Sequence, residues 1–444
     1  MSDSQGVITA EESQETRSAS SACSQEGPGD TSAAAAAVVK KKKKPGQKKA
    51  KLPVFTTRDE TPRRPYPARD SSSFTVLSWN VNGIRATAKY GLETLRDMVK
   101  KERPDLVCFQ ETKIQEKDTE QEKLGLRDLL PGYYSEWNCS SAKLGYSGTA
   151  VFFPKQDEEW ETRGGAKGLS GNGGSVSSEP ARKKAKQGKI ASYFSAKPDQ
   201  KKPSMGPTAA AAAAAEEAEG GESAVAPPSS MAGGRSGLKV LGVRFGIGGG
   251  AKHNNEGRAI TVEYEKFFVV TVYVPNSGDK LQRLDYRTKE WDPALRAYVK
   301  SLEKKKPVVL NGDLNVAHQD LDVYNRGAPH LPKSSATTKE ERESFGRWMQ
   351  ELQFADAFRQ FHPDADGAYT YWSVRTGARP VNRGLRLDYF VCSTSLFEKK
   401  GDGEKEDEDG VNASALVVHD CFILDKATVG LSDHCPIGIT LRWT

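Results

Sequence analysis

Apolar runs recur along two stretches of the chain. Some alternate with polar residues and others are apolar throughout, which predicts short half-buried and fully buried strands. The runs are 74–80 (FTVLSWN), 105–110 (DLVCFQ), 149–153 (TAVFF), 258–264 (RAITVEY), 267–274 (FFVVTVYV), 307–311 (PVVLN), 386–392 (RLDYFVC) and 435–441 (CPIGITL), and strand chemistry also resumes at 237 (GLKVLGVRFGIG). Three stretches between them read as helical. Residues 87–102 run up to the helix-ending Pro104. Residues 281–303 put Leu284, Trp291, Leu295, Val299 and Leu302 on one face, and 339–361 do the same with Phe345, Trp348, Met349, Leu352 and Phe358. This mixture predicts an α/β fold with two sheets packed face to face and helices outside. The runs 76-VLSWNVNG-83 and 308-VVLNGDLNV-316 echo each other, each ending in an Asn-rich turn with Gly. That points to an internal repeat whose polar strand ends meet at one edge.

The pattern lapses twice. Residues 1–73 are rich in Ser, Ala, Lys and Pro, and 155–236 are dominated by Gly, Ala, Ser, Lys and Pro. Such composition buries too little apolar area to offset chain entropy, so both are expected to be disordered. The remainder, 74–154 with 237–444, makes one domain of about 290 residues. The net charge of +6 is modest but uneven, with basic blocks at Lys40–Lys44, Lys48, Lys49 and Lys51, and at Arg182, Lys183, Lys184 and Lys186. These are either solvated tails or nuclear-import and polyanion-binding segments. The acidic 401–410 segment reads as a solvated loop. The six cysteines show no CxxC pairing and several fall inside strand runs, as expected of reduced core thiols. No transmembrane span or secretory signal is legible, and the expectation is a soluble monomer of the nucleus, an organelle copy being the alternative.

The chemistry sits where strands end. Asn80 and Asn82, Glu111, Tyr273 and Asn276, Asp313 and Asn315, Asp388, Asp433 and His434 all fall at strand termini. Carboxylates gathered at one sheet edge repel each other unless a cation sits among them. Oxygen ligands without thiolates or paired histidines favour Mg²⁺, with Mn²⁺ as the alternative. Asp388 is placed to fix the His434 imidazole. A divalent ion, a His/Asp pair, amides and a buried tyrosine suit phosphodiester hydrolysis.

The ordered series LSWNVNGIRA, FQETK, GYSGTAVFF, EGRAI, TVYVPNSG, NGDLNVAHQDLD, YTYW, GLRLDYF and LSDHCPI resembles the exonuclease III family of apurinic/apyrimidinic endonucleases, within the endonuclease/exonuclease/phosphatase superfamily. The resemblance covers nearly all of 74–154 and 237–443. It implies a four-layer α/β sandwich of two mixed sheets and Mg²⁺-dependent cleavage 5′ to an abasic site in double-stranded DNA, leaving a 3′-hydroxyl and a 5′-deoxyribose phosphate. Some members add 3′-phosphodiesterase, 3′-phosphatase or 3′→5′ exonuclease activity. It implies Glu111 as principal metal ligand with Asn82 beside it, and Asp433 as a further metal-side carboxylate. Asp313, Asn315 and His434 complete the candidate metal set. It implies Tyr273 and Asn276 as phosphate-binding groups, Asp313 as acid/base, Asn315 as a transition-state contact, and His434, steadied by Asp388, as phosphate contact or base. Asn80 stands with the substrate-binding groups. Tyr371, Leu385 and Leu387 would form an apolar pocket for a base-free sugar, with Arg375 filling the gap in the duplex. The alternatives are a phosphatase or nuclease of another branch, and a catalytically dead scaffold.

Three positions depart from animal members. Asn82 stands where they carry aspartate, Asp279 where they carry an inserting arginine, and Leu385 where they carry tryptophan. One motif lies outside the domain. In 187-QGKIASYF-194, Gln187, Ile190, Tyr193 and Phe194 have the spacing of a peptide that binds the sliding clamp PCNA, with the basic 182–186 block to steer it.

Overall fold

The computed structural model describes residues 63, 72–119, 125, 126, 128–155, 224, 225, 238–397 and 416–443. All belong to one unit of the chain, residues 53–444. The strands, in chain order, are β1 (Ser73–Asn80), β2 (Leu106–Gln110), β3 (Tyr133–Asn138), β4 (Thr149–Pro154), β5 (Ala224–Val225), β6 (Val240–Phe245), β7 (Ala259–Tyr264), β8 (Phe268–Tyr273), β9 (Val308–Asp313), β10 (Phe354–Asp356), β11 (Asp388–Ser393), β12 (Leu416–Ile423) and β13 (Ile437–Trp443). The helices are α1 (Ile84–Tyr90), α2 (Leu92–Glu102), α3 (Glu116–Thr119), α4 (Ala251–Asn254), α5 (Asp292–Glu303), α6 (Lys339–Leu352) and α7 (Ala357–Phe361).

Two mixed sheets result. The first is ordered β12-β13-β1-β2-β4-β3 and the second β10-β11-β9-β8-β7-β6-β5. The strand alternation then assigns every side chain to a layer. On β1, Val76 points into the space between the sheets, while Leu77 and Trp79 point outward onto Leu95, Met98 and Val99 of α2. On β8 and β9, Val269 and Val309 point inward, while Val270 and Leu310 point outward onto Trp291, Leu295, Val299 and Phe345. Helix, sheet, sheet and helix therefore stack as a four-layer α/β sandwich with three apolar seams.

The inner seam changes character along the strands. Val76, Leu106, Val269 and Val309 are apolar. Two residues further on, the same faces carry Ser78, Cys108, Thr271 and Asn311, all buried. Two residues further again they carry Asn80, Gln110, Tyr273 and Asp313, also buried. Gln110 Nε2 donates to Ser78 Oγ on its own sheet (3.0 Å) and to Thr271 Oγ1 on the other (2.8 Å), so it ties the sheets together just beneath the polar end.

The halves do repeat, but not by the pairing that the Asn-rich turns suggest. The order β12-β13-β1-β2-β4-β3 matches β6-β7-β8-β9-β11-β10 strand for strand, with the same single parallel pair, β1 with β2 and β8 with β9. β1 therefore corresponds to β8, and β9 to β2. By register Asn80 is the counterpart of Tyr273, and Gln110 that of Asp313, with Glu111 one residue beyond.

Other boundaries also differ. Gly91 divides the 87–102 stretch into α1 and α2, and its Cα faces Leu431 with no room for a Cβ. Residues 286–291 of the 281–303 stretch form a wide π-helical turn that leads into α5. The 339–361 stretch is not one helix. Gln353 adopts a left-handed backbone (φ 54°), ends α6, and lets β10 join the second sheet before α7 begins. The cysteines 108, 392, 421 and 435 are buried free thiols and Cys139 is half-buried. Cys23, the basic blocks, most of the 155–236 insert with the 187–194 peptide, and the acidic 401–410 loop lie outside the described residues.

Candidate active site

The polar end of the inner seam is one hydrogen-bonded network fed by both sheets. Asn80, at the tip of β1, is completely buried. Its Nδ2 donates to Glu111 Oε1 (3.0 Å) and to Asp313 Oδ2 (2.9 Å), and its Oδ1 accepts from the Asn82 backbone (3.0 Å). One amide thus bridges a carboxylate of the first sheet and a carboxylate of the second. The chain must bend sharply to aim these groups. Asn82 (φ 48°), Glu111 (φ 53°) and Asn315 (φ 48°) all occupy the left-handed region, where a residue other than glycine is uncommon. At Gly312 (φ 126°) a Cβ would lie 2.1 Å from the Val272 carbonyl oxygen, so only glycine allows β9 to approach β8 here.

The metal side lies on the first sheet. The Lys113 ammonium is 2.8 Å from Glu111 Oε2 and also bonds Asn82 Oδ1. Asn82 Nδ2 donates to Asp433 Oδ1 (2.9 Å). Two oxygens therefore converge on a position already filled by a cationic group, and Asp433 stands beside it. Burial alone would raise the Glu111 carboxyl, but Lys113, the Asn80 amide and the charge on His434 outweigh it and hold Glu111 below its ordinary value. The donor set is all oxygen, which fits a hard divalent cation such as Mg²⁺ or Mn²⁺. Tyr273 is buried, and desolvation beside the Glu111 carboxylate holds its phenol protonated.

The proton-handling side faces it. His434 Nδ1 is 2.8 Å from Asp388 Oδ2, and Nε2 is 3.8 Å from Asp313 Oδ2. These three side chains lie close enough to share an ion. The histidine, however, spends its two nitrogens on two different carboxylates, an arrangement suited to a proton relay. Burial opposes a charged His434, but Asp388 and Asp313 override it and raise the imidazole to about 10. Asp313 is raised to about 7, by burial first and by Asp388 and Glu111 after the opposing pull of His434. Its Oδ1 accepts from the Asn315 backbone (2.9 Å). The Asn315 side chain is held at both ends, by Asn276 Nδ2 (2.8 Å) and by the Val274 carbonyl (2.8 Å).

The apolar residues expected to line the sugar pocket adjoin the relay as a packed cluster. A short ladder runs Val323, Leu385, Tyr371, His434. The Tyr371 ring centre is 5.0 Å from that of His434, and Tyr371, Leu385 and Leu387 share one cluster with Val323 and Ala317. Burial, then Asp433, raises the Tyr371 phenol to about 12. Arg375 is exposed on a 3₁₀ turn, Val374–Thr376, outside the hydrogen-bonded network. His318, at the end of the NGDLNVAH stretch, turns away and packs on Phe345 (ring centres 4.6 Å).

Sequence reasoning gave no role to Lys113, although it closes the FQETK motif. It also missed Trp79, whose Nε1 donates to the His434 carbonyl (3.2 Å), and Ser432, which donates to the Asn80 carbonyl (2.8 Å) and accepts from the His434 backbone. Both read as ordinary core or turn residues in the sequence.

Comparison with known proteins agrees with this geometry. The chain is 34% identical over 368 residues to an exodeoxyribonuclease of Bacillus subtilis, covering 83% of this chain and 99% of that one. It is 33% identical over 398 residues to DNA repair nuclease APEX1 of Danio rerio, covering 89% and 91%. The crystal structure of an AP endonuclease from Leishmania major superposes with a TM-score of 0.56 at 25% identity, covering 87% and 93%. The Endonuclease/Exonuclease/phosphatase family profile matches residues 77–156 and 210–434. With the profile spanning more than half the chain, and both sheets' tips meeting in one acidic network, the protein belongs to the endonuclease/exonuclease/phosphatase family.

Proposed function

We propose that the protein is a DNA-(apurinic or apyrimidinic site) endonuclease of base excision repair, hydrolysing the phosphodiester 5′ to an abasic site. The observation that carries this reading is the apolar Tyr371–Leu385–Leu387 cluster, whose Tyr371 ring lies against His434, beside the Glu111 and Asp313 carboxylates. An apolar surface next to phosphodiester chemistry would accept a sugar that has lost its base.

Asn82 and Glu111 would hold Mg²⁺, with Asp433 behind them. Bound there, the ion would neutralise charge on the phosphate and on the leaving 3′ oxygen. His434, kept charged by Asp388, donates to a non-bridging phosphate oxygen. Asp313, poised near neutrality, takes the proton of the attacking water. Tyr273, Asn276 and Asn315 hold the phosphate on the side of the second sheet. Arg375 contacts the duplex from its exposed turn. The same site would act on blocked 3′ ends as a 3′-phosphodiesterase or 3′→5′ exonuclease. The protein acts as a nuclear monomer that the sliding clamp recruits through residues 187–194.

The test is a duplex with one tetrahydrofuran site, incubated with Mg²⁺ or EDTA. Cleavage on the 5′ side of the lesion with metal alone supports the reading. Cleavage on the 3′ side, or in EDTA, refutes it.

A further inference from the structure

Behind the turn that carries Asp313 and Asn315 lies a buried ion pair that touches none of the metal-side groups. Arg287 is 2% exposed and Glu341 is fully buried. The Arg287 guanidinium donates to the backbone carbonyls of Leu314 (2.6 Å) and Asn315 (2.5 Å), and to Glu341 Oε1 (3.0 Å). Glu341 Oε1 also accepts from Ser277 Oγ (2.5 Å), and Oε2 accepts from the Thr338 backbone and hydroxyl at the start of α6. One pair thus grips both strand-end turns of the second sheet, the turn after β9 and the turn after β8 that bears Asn276.

Two physical facts give this arrangement meaning. A buried ion pair is a poor source of net stability, because desolvation of both charges offsets their attraction. Asn315 turns the chain out of β9 through the left-handed region (φ 48°), which asparagine enters more readily than most residues, and in that turn the Leu314 and Asn315 carbonyls both accept from Arg287. Arg287 restrains the turn, since a planar fork can satisfy two carbonyls and a carboxylate at once.

We infer that Arg287, together with Glu341, is the positioning residue for the phosphate-side half of the site. It sets Asp313, Asn315 and Asn276 without meeting substrate, and leaves Asn82 and Glu111 on the other sheet unaffected. This inference rests on the endonuclease reading above.

The experiment compares wild type with Arg287→Met, Arg287→Lys and Glu341→Gln by single-turnover incision of a tetrahydrofuran duplex across a Mg²⁺ titration, with folding checked by circular dichroism and thermal melting. Arg287→Met is expected to cut about 100-fold more slowly, the cost of a small misplacement of reacting groups. Its half-saturating Mg²⁺ concentration is expected to stay that of the wild type. Arg287→Lys, which keeps the charge but not the fork, should recover part of the rate. If Arg287→Met does not fold, Glu341→Gln should show the same loss of rate at unchanged Mg²⁺ requirement. A folded Arg287→Met variant with wild-type rate overturns the inference alone, as does a rate loss matched by a higher Mg²⁺ requirement. A wild-type protein that leaves the substrate intact removes the endonuclease reading, and this inference with it.

Discussion

Asp388 and His434 meet at 2.8 Å across the boundary between the two sheets, through Oδ2 and Nδ1, and this contact fixes both the orientation and the charge of the imidazole. Replacing Asp388 by Asn keeps the shape and removes the charge. Incision by Asp388→Asn is expected to fall by about 100-fold or more. The sign of the pH effect follows from the raised imidazole. Wild-type activity that needs charged His434 is retained until pH approaches about 10, whereas the variant should lose it at a lower pH. A pH–rate profile checks this, and an unshifted alkaline limb would count against it.

Asp313 makes the opposite contribution to stability. Its folded value, about 7, stands above its ordinary value of 3.8. A group raised in this way favours the folded state below 3.8 and weakens it progressively as pH climbs from there through 7. Asp313→Asn should therefore be inactive yet more stable than wild type at pH 8, and should lose that advantage near pH 4. Thermal melts at the two pH values decide the matter. An advantage over wild type that is larger at pH 4 than at pH 8 would contradict the assignment.

Gly312→Ala tests the local geometry rather than the charges. The added methyl would meet the Val272 carbonyl at 2.1 Å in a backbone conformation that L-residues rarely adopt. A loss of about 3 kcal/mol or more is expected from strain together with the displaced strand pairing. Denaturant unfolding measures it, and a near-neutral effect would mean that β8 and β9 separate more easily than their register implies.

At position 82 an aspartate would add a second negative charge beside Glu111, where the Lys113 ammonium now lies. Asn82→Asp is expected to lower the Mg²⁺ concentration for half-maximal incision by about tenfold, the effect of roughly 1.4 kcal/mol of added attraction. An unchanged requirement would remove Asn82 from the metal side.

The proposed recruitment by the sliding clamp should be separable from catalysis. Tyr193→Ala with Phe194→Ala should abolish capture of the protein on immobilised clamp, since in the proposed peptide the two aromatics would supply the apolar anchor. Cleavage of a short duplex should be unaffected. Capture that survives the double substitution would defeat the proposal.

Much of this arrangement was legible in the sequence, for a physical reason. Strands end where apolar alternation gives way to Asn, Asp and Glu, and in a two-sheet sandwich those ends share one edge, so the polar groups at 80, 111, 273, 313 and 434 meet. Strands with weaker apolar alternation were harder to see. β3 (YYSEWN) lies at a sheet edge and is half-buried along most of its length, and β12 pairs through a bulge between Val418 and Asp420. The repeat was read through matching asparagines, whereas topology pairs β1 with β8, so chemical likeness at strand ends was the wrong guide to ancestry of position. Arg287 was invisible because its role depends on the Leu314 and Asn315 carbonyls, and Lys113 because the fold must bring Asn82 beside Glu111 before the ammonium can join them.

The most direct measurement replaces Glu111 by Gln and follows incision of a tetrahydrofuran duplex as Mg²⁺ is returned to a metal-depleted sample. Wild type should show saturable, strictly metal-dependent cleavage 5′ to the lesion. The folded Glu111→Gln variant should cut slowly and only at much higher Mg²⁺. A variant whose Mg²⁺ dependence matches wild type would contradict the placement of the metal on the first sheet, and with it the division of labour between the two sheets.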